Sequence, residues 1–137
     1  MEVLYKKKAD INEGIKNATV SKSAMIFFKD VFFTIPYSQT HILGGESRFN
    51  GKEIFDHSMK LLDENKSAEL YDYLLEAVPD EYTYYINMLD VFKIKISWWI
   101  FGGMYFRKKD AKGQRRTVGL NPKSFRVKLA KFYNLDV

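Results

Sequence analysis

Two side chains in this sequence can exchange a proton near neutral pH, His41 and His57, and there is no Cys. One imidazole as base and the other as acid is the minimum needed for metal-free cleavage of RNA. His41 lies beside Gly44, Gly45, Glu46 and Arg48, a setting that suits an anion. His57 has Glu53 four residues before it and Asp56 adjacent, which suits a divalent cation instead. Neither spacing is diagnostic. His-Glu-x-x-His, a phosphate-cradling Walker loop and Gly-x-Ser-x-Gly are all missing from the sequence. Without Cys there is no thiol nucleophile, no disulfide framework and no Cys-ligated zinc or iron–sulfur site. No catalytic residue, metal or cofactor is therefore assigned. A small metal-independent endoribonuclease using His41 and His57 stands as an alternative to a binding protein.

The charge layout says more than the histidines. Residues 1–40 carry six Lys/Arg against four Asp/Glu, residues 41–90 four against eleven, and residues 91–137 twelve against two. Such asymmetry means that the basic part meets a polyanion or that the two parts meet each other. The cations concentrate at Arg107, Lys108, Lys109, Lys112, Arg115, Arg116, Lys123, Arg126, Lys128 and Lys131, with Asp110 the one acid between the first and last. Like charges on a short helix repel, so an unopposed cationic face costs stability unless an anion meets it. Phosphate backbones are the commonest matching polyanion, and the expected function is nucleic-acid binding, DNA or RNA, through these ten residues. Arg107, Arg115, Arg116 and Arg126 are the candidates for bidentate guanine contacts, with phosphate clamping the more common fate of such residues. Trp99 and Tyr105, beside Lys93 and Lys95, would suit base stacking, although such aromatics usually belong to a core.

Two other readings use the same charges. The basic segment could dock on the acidic stripe of Glu69, Asp72 and Glu76 within the chain. Alternatively, the protein could bind and block a host nucleic-acid-processing or defence enzyme. Phe, Tyr, Ile, Asn and Lys, all with A/T-rich codons, supply 54 of 137 residues, and Lys outnumbers Arg 17 to 5. That bias is common in phages and mobile elements and accounts for the aromatic load without function. The longest uninterrupted apolar stretch, 98–106, is about half a membrane span. With a charged N-terminus as well, the chain is expected to be cytoplasmic, in a host cell if phage-encoded, with no membrane partner. Oligomeric state is not legible.

The elements that must position these residues follow from periodicity. Residues 2–6 suit a short strand and 10–18 a weak helix. Ala24, Phe27, Phe28, Val31, Phe32 and Ile35 recur at helical steps, predicting a helix over 21–34 stopped by Pro36, although the aromatic content suits a strand too. Residues 37–50 read as a polar loop. Asn50 with Glu53 opens a helix to about Glu64, and Ser67 opens another that Pro79 ends. From Asp90 to Ile100 apolar residues alternate, a half-buried strand with Lys93 and Lys95 outward. Met104–Lys109 and Gln114–Leu120 form a hairpin. Asn121-Pro122 launches a final helix, closed by Asn134 in a left-handed turn with Leu135 behind it. The expected fold is a single α+β domain over 1–137. N-terminal helices lead to a C-terminal antiparallel β-meander and a terminal basic helix, an acidic helical part at 41–90 and a basic hairpin–helix part at 91–137.

Overall fold

The computed structural model describes residues 1–13, 19–41, 50–96, 103–109, 116–120 and 122–135, with backbone alone at 10–13, 19–22, 38–41 and 116–117. The chain is α+β, but it opens with strands. Three long strands, β1 (Leu4–Glu13), β2 (Thr19–Phe27) and β3 (Val31–His41), precede the helices α1 (Gly51–Asp63) and α2 (Ser67–Ala77). A short β4 (Thr83–Tyr85), then β5 (Leu89–Lys95), β6 (Gly103–Lys108) and β7 (Arg116–Gly119) lead to α3 (Lys123–Phe132). All seven strands form one antiparallel sheet in the order β4-β3-β2-β1-β7-β6-β5.

The expected N-terminal helices are thus overturned, and with them the layout of helices first and meander last. The cause is burial on both sides. In β2, Ala24 and Ile26 face α1 and α2, as does Phe28 just beyond its end, while Met25 and Phe27 face α3. In β3, Val31, Phe33 and Ile35 face α1 and α2, and Phe32 faces α3. Strands covered on both faces lose the period-two alternation that would mark them, and a continuous apolar run scores equally well as a helix. The turn between them hides itself too. Phe28 N–H donates to the Val31 carbonyl at 2.9 Å, yet neither Lys29 nor Asp30 takes the positive φ of the favoured two-residue hairpin turns. The weak helix at 10–18 and the loop at 37–50 are corrected in part as well, because β1 runs to Glu13, β2 starts at Thr19 and β3 runs to His41.

The sheet is strongly rolled. Phe32 of β3 lies 5.8 Å from Phe92 of β5 and 5.2 Å from Phe106 of β6, although β2, β1 and β7 separate them in the sheet order. The edge strands β4 and β5 are joined by one turn of 3-10 helix, Ile86–Met88. α3 fills the concave side, where Phe27 meets Phe125 at 6.2 Å and Tyr133 at 6.4 Å. α1 and α2 cover β2 and β3 on the convex side, and α1 starts so close to β3 that a Cβ on Gly51 would stand 1.8 Å from the Pro36 carbonyl oxygen.

Of the expected helix signals the cap of α1 and the end of α3 hold, whereas Pro122 stands at the N-cap of α3 rather than at its first position and the helix begins at Lys123. Asn50 Oδ1 accepts from Glu53 N–H at 3.1 Å, capping α1. Ser67 is the first residue of α2 rather than its cap, and its hydroxyl donates to the Met1 carbonyl at 2.8 Å. Asn134 is left-handed, φ 53°, and Leu135 N–H donates to the Ala130 carbonyl at 2.9 Å.

Both helical layers hold the 29–30 turn. Tyr71 of α2 donates its hydroxyl to Asp30 Oδ2 at 2.6 Å, which pushes its pKa up to about 12, with burial adding to the effect. Tyr133 donates to the Phe28 carbonyl at 2.7 Å, and burial, then the Asp30 charge, raises its pKa further. Both phenols are neutral in the fold, so their contribution is complete below the ordinary value of 10.0 and is lost as pH rises through it toward 12. Urea midpoints should therefore fall in that window. The fall should be smaller in Tyr71→Phe and Tyr133→Phe, and the absorbance titration of the native protein should lag that of the unfolded chain.

Candidate nucleic-acid interface

α3 bears Lys123, Lys128 and Lys131 on its solvent side, all exposed, while Leu129, Ala130 and Phe132 are buried against the sheet. Among the described residues, no carboxylate pairs with these three lysines; the ion pairs are Lys29–Glu2, Lys52–Asp56, Lys66 with Glu64 and Glu69, and Arg107–Asp90. The acidic stripe Glu69, Asp72 and Glu76 lies on α2, on the opposite face of the sheet from α3. Docking of the basic helix on that stripe is thereby excluded by the architecture.

The other predicted cations have different fates. Arg126 is fully buried and its guanidinium donates to the Leu120 carbonyl, so it holds the entry of α3 and presents nothing outward. Arg107 grips Asp90 through Nε at 3.1 and 3.2 Å and Nη2 at 2.9 Å. That fork holds the Asp90 carboxyl below the usual carboxylate range. Lys108 donates to the Asp80 carbonyl at 2.7 Å and lies 4.9 Å from the Tyr84 ring centroid. Lys109 is exposed beyond the end of β6. Arg116 is described as backbone in β7, paired with Phe106, while Lys112, Arg115 and Trp99 lie outside the described residues.

Two lysines that sequence spacing missed join α3. Lys29, at the β2–β3 turn, donates its ammonium to the carbonyl of Phe132 and lies 4.1 Å from that ring's centroid. It thereby neutralises the negative end of the helix. Lys6 of β1 sits 5.6 Å over the Phe125 ring. Glu2, Leu4, Lys29, Lys128, Lys131 and Phe132 line a shallow groove of about 430 Å³ beside the helix. Lys29 is 103 residues from Phe132, so no local pattern points to it.

A second open groove, about 730 Å³, lies along α1 and α2 and contains Glu53, Asp56, His57, Lys60 and Tyr73. His57 stacks edge-on with Tyr73 at 4.4 Å, and burial followed by the Glu53 charge raises the Tyr73 pKa. Among the described residues no three His, Asp or Glu converge to hold a metal. The His41 side chain lies outside the described residues. Among the described residues no helix is long and apolar enough to cross a membrane. Comparison with protein-family models, curated proteins and solved structures finds no match to this chain.

The two kinds of cation separate in denaturation. Arg126→Met should lower stability by about 2–3 kcal/mol, because a buried charge-assisted bond is removed and a carbonyl orphaned. Lys128→Gln, at an exposed site, should stay within about 0.5 kcal/mol. Equal losses in urea titrations of the two variants would contradict this division.

Proposed function

We propose that the protein binds nucleic acid, DNA or RNA, through the outward side of α3, with Lys123, Lys128 and Lys131 as phosphate contacts. Lys6 and Lys29 flank them. The observation that carries the reading is the placement of these lysines on the far side of the sheet from the acidic helices, where the three on α3 have no carboxylate partner among the described residues. A cationic face that the fold does not neutralise is met by solvent or by an external polyanion, and counterion release makes the second favourable. The exposed Lys109, and Lys112, Arg115 and Arg116 of the same hairpin, complete the proposed set, while Arg107, Lys108 and Arg126 act in holding the fold. The compartment this reading implies is the cytoplasm, of a host cell if a phage encodes the chain.

A salt titration of binding to duplex DNA, single-stranded DNA and RNA tests it. Replacing Lys123, Lys128 and Lys131 by Gln should weaken duplex binding and flatten the log–log salt slope by about 0.9 for each phosphate no longer neutralised. No binding of the wild type to any of the three at low salt refutes the reading and favours a protein partner.

A further inference from the structure

The convex side of the β5–β6 half of the sheet is a separate surface. α3 packs on the concave side of these strands through Phe92, Ile94, Met104 and Phe106, and α1 and α2 pack on β2 and β3. Among the described residues no helix covers the convex side of β5 and β6. That side carries Val91, Lys93 and Lys95 from β5 with Tyr105 and Arg107 from β6; Lys93 stands opposite Tyr105 and Val91 opposite Arg107. Lys93 and Lys95 are exposed and Tyr105 is half-buried. The one carboxylate of these two strands, Asp90, sits at a bulge and is held in the fork of Arg107, so its charge does not oppose the lysines.

We propose that this face binds a single strand of nucleic acid, with Tyr105 stacking on a base and Lys93 and Lys95 meeting successive phosphates. Residues two apart on a strand stand about 6.7 Å apart on one face, close to the spacing of neighbouring phosphates along an extended strand. The directly opposed cross-strand position brings the tyrosine ring beside the first lysine. A single strand is selected because its base faces are open to an aromatic ring, whereas a duplex keeps them in its own stack. The inference rests on the nucleic-acid reading above but uses other residues, on the other side of the sheet.

Oligothymidylate and a duplex of equal length are the probes. Tyr105→Ser should weaken oligothymidylate binding about tenfold and Tyr105→Phe should retain it. Lys93→Gln with Lys95→Gln, both at exposed positions that leave the fold intact, should flatten the single-strand salt slope by about 0.7 per lysine. Duplex binding should be unchanged in all three. The platform is overturned if oligothymidylate binding ignores these variants, if Tyr105→Phe loses as much as Tyr105→Ser, or if duplex binding falls equally. In each case duplex binding that still depends on the α3 lysines leaves the broader reading standing. A wild type that binds neither probe removes both.

Discussion

Burial of the β2–β3 hairpin on both faces is the constraint on which the rest of the structure depends. From Ser23 to Phe28 and from Val31 to Ile35 the side chains are essentially inaccessible. A helix or an opposing wall of the rolled sheet must therefore cover each side, since a two-stranded ribbon of this composition left open would associate with itself. The polar residues the hairpin cannot bury are gathered at Lys29 and Asp30. There each helical layer and the β4 edge take hold: Tyr71 on Asp30, Phe132 carbonyl on Lys29, Ile86 N–H on the Asp30 carbonyl at 2.9 Å. A turn without the backbone geometry that favours hairpins is fixed by what packs on it.

The same two-sided burial explains what the sequence hid. Periodicity reports exposure, and a strand with no exposed face has none to report, so 21–34 reads as a helix as readily as a hairpin. The later elements were legible because each has one wet side. Asn50 and Glu53 at the start of α1, the alternation Phe92-Lys93-Ile94-Lys95 and the Asn134–Leu135 helix end are local devices, complete within a few residues. The rolling of the sheet is not local. It appears when Phe32 is found against Phe92 and Phe106.

Part of the candidate interface was legible and part was not, for a related reason. Counting charge identifies where cations are abundant and cannot tell which ones the fold consumes. Arg126 and Lys128 are neighbours on one helix, yet the step of 100° per residue sends the first into the core and the second into water. A helical projection puts Arg126 outside the apolar arc of Phe125, Leu129, Phe132 and Tyr133. The misplacement comes from the loop: the Leu120 carbonyl needs a donor at the buried entry to α3, and a long guanidinium supplies one that a short polar cap would not reach.

Sorting cations by what they touch then gives the charge asymmetry a physical shape. Arg107, Lys108, Arg126 and Lys29 satisfy carbonyls or a carboxylate, and their charges are spent on holding strand ends, the α3 entry and the α3 terminus. Among the described cations that remain outward are the lysine set of α3 on one side of the sheet and Lys93 with Lys95 on the other. Lysine, with a hydrated point charge on a flexible stem, tolerates exposure without a partner and adapts to a phosphate wherever it arrives. Among the described residues both arginine side chains, Arg107 and Arg126, are engaged by the fold, whereas the cations left exposed are lysines. The α3 lysines are kept away from the acidic helices by the hairpin that both layers bury.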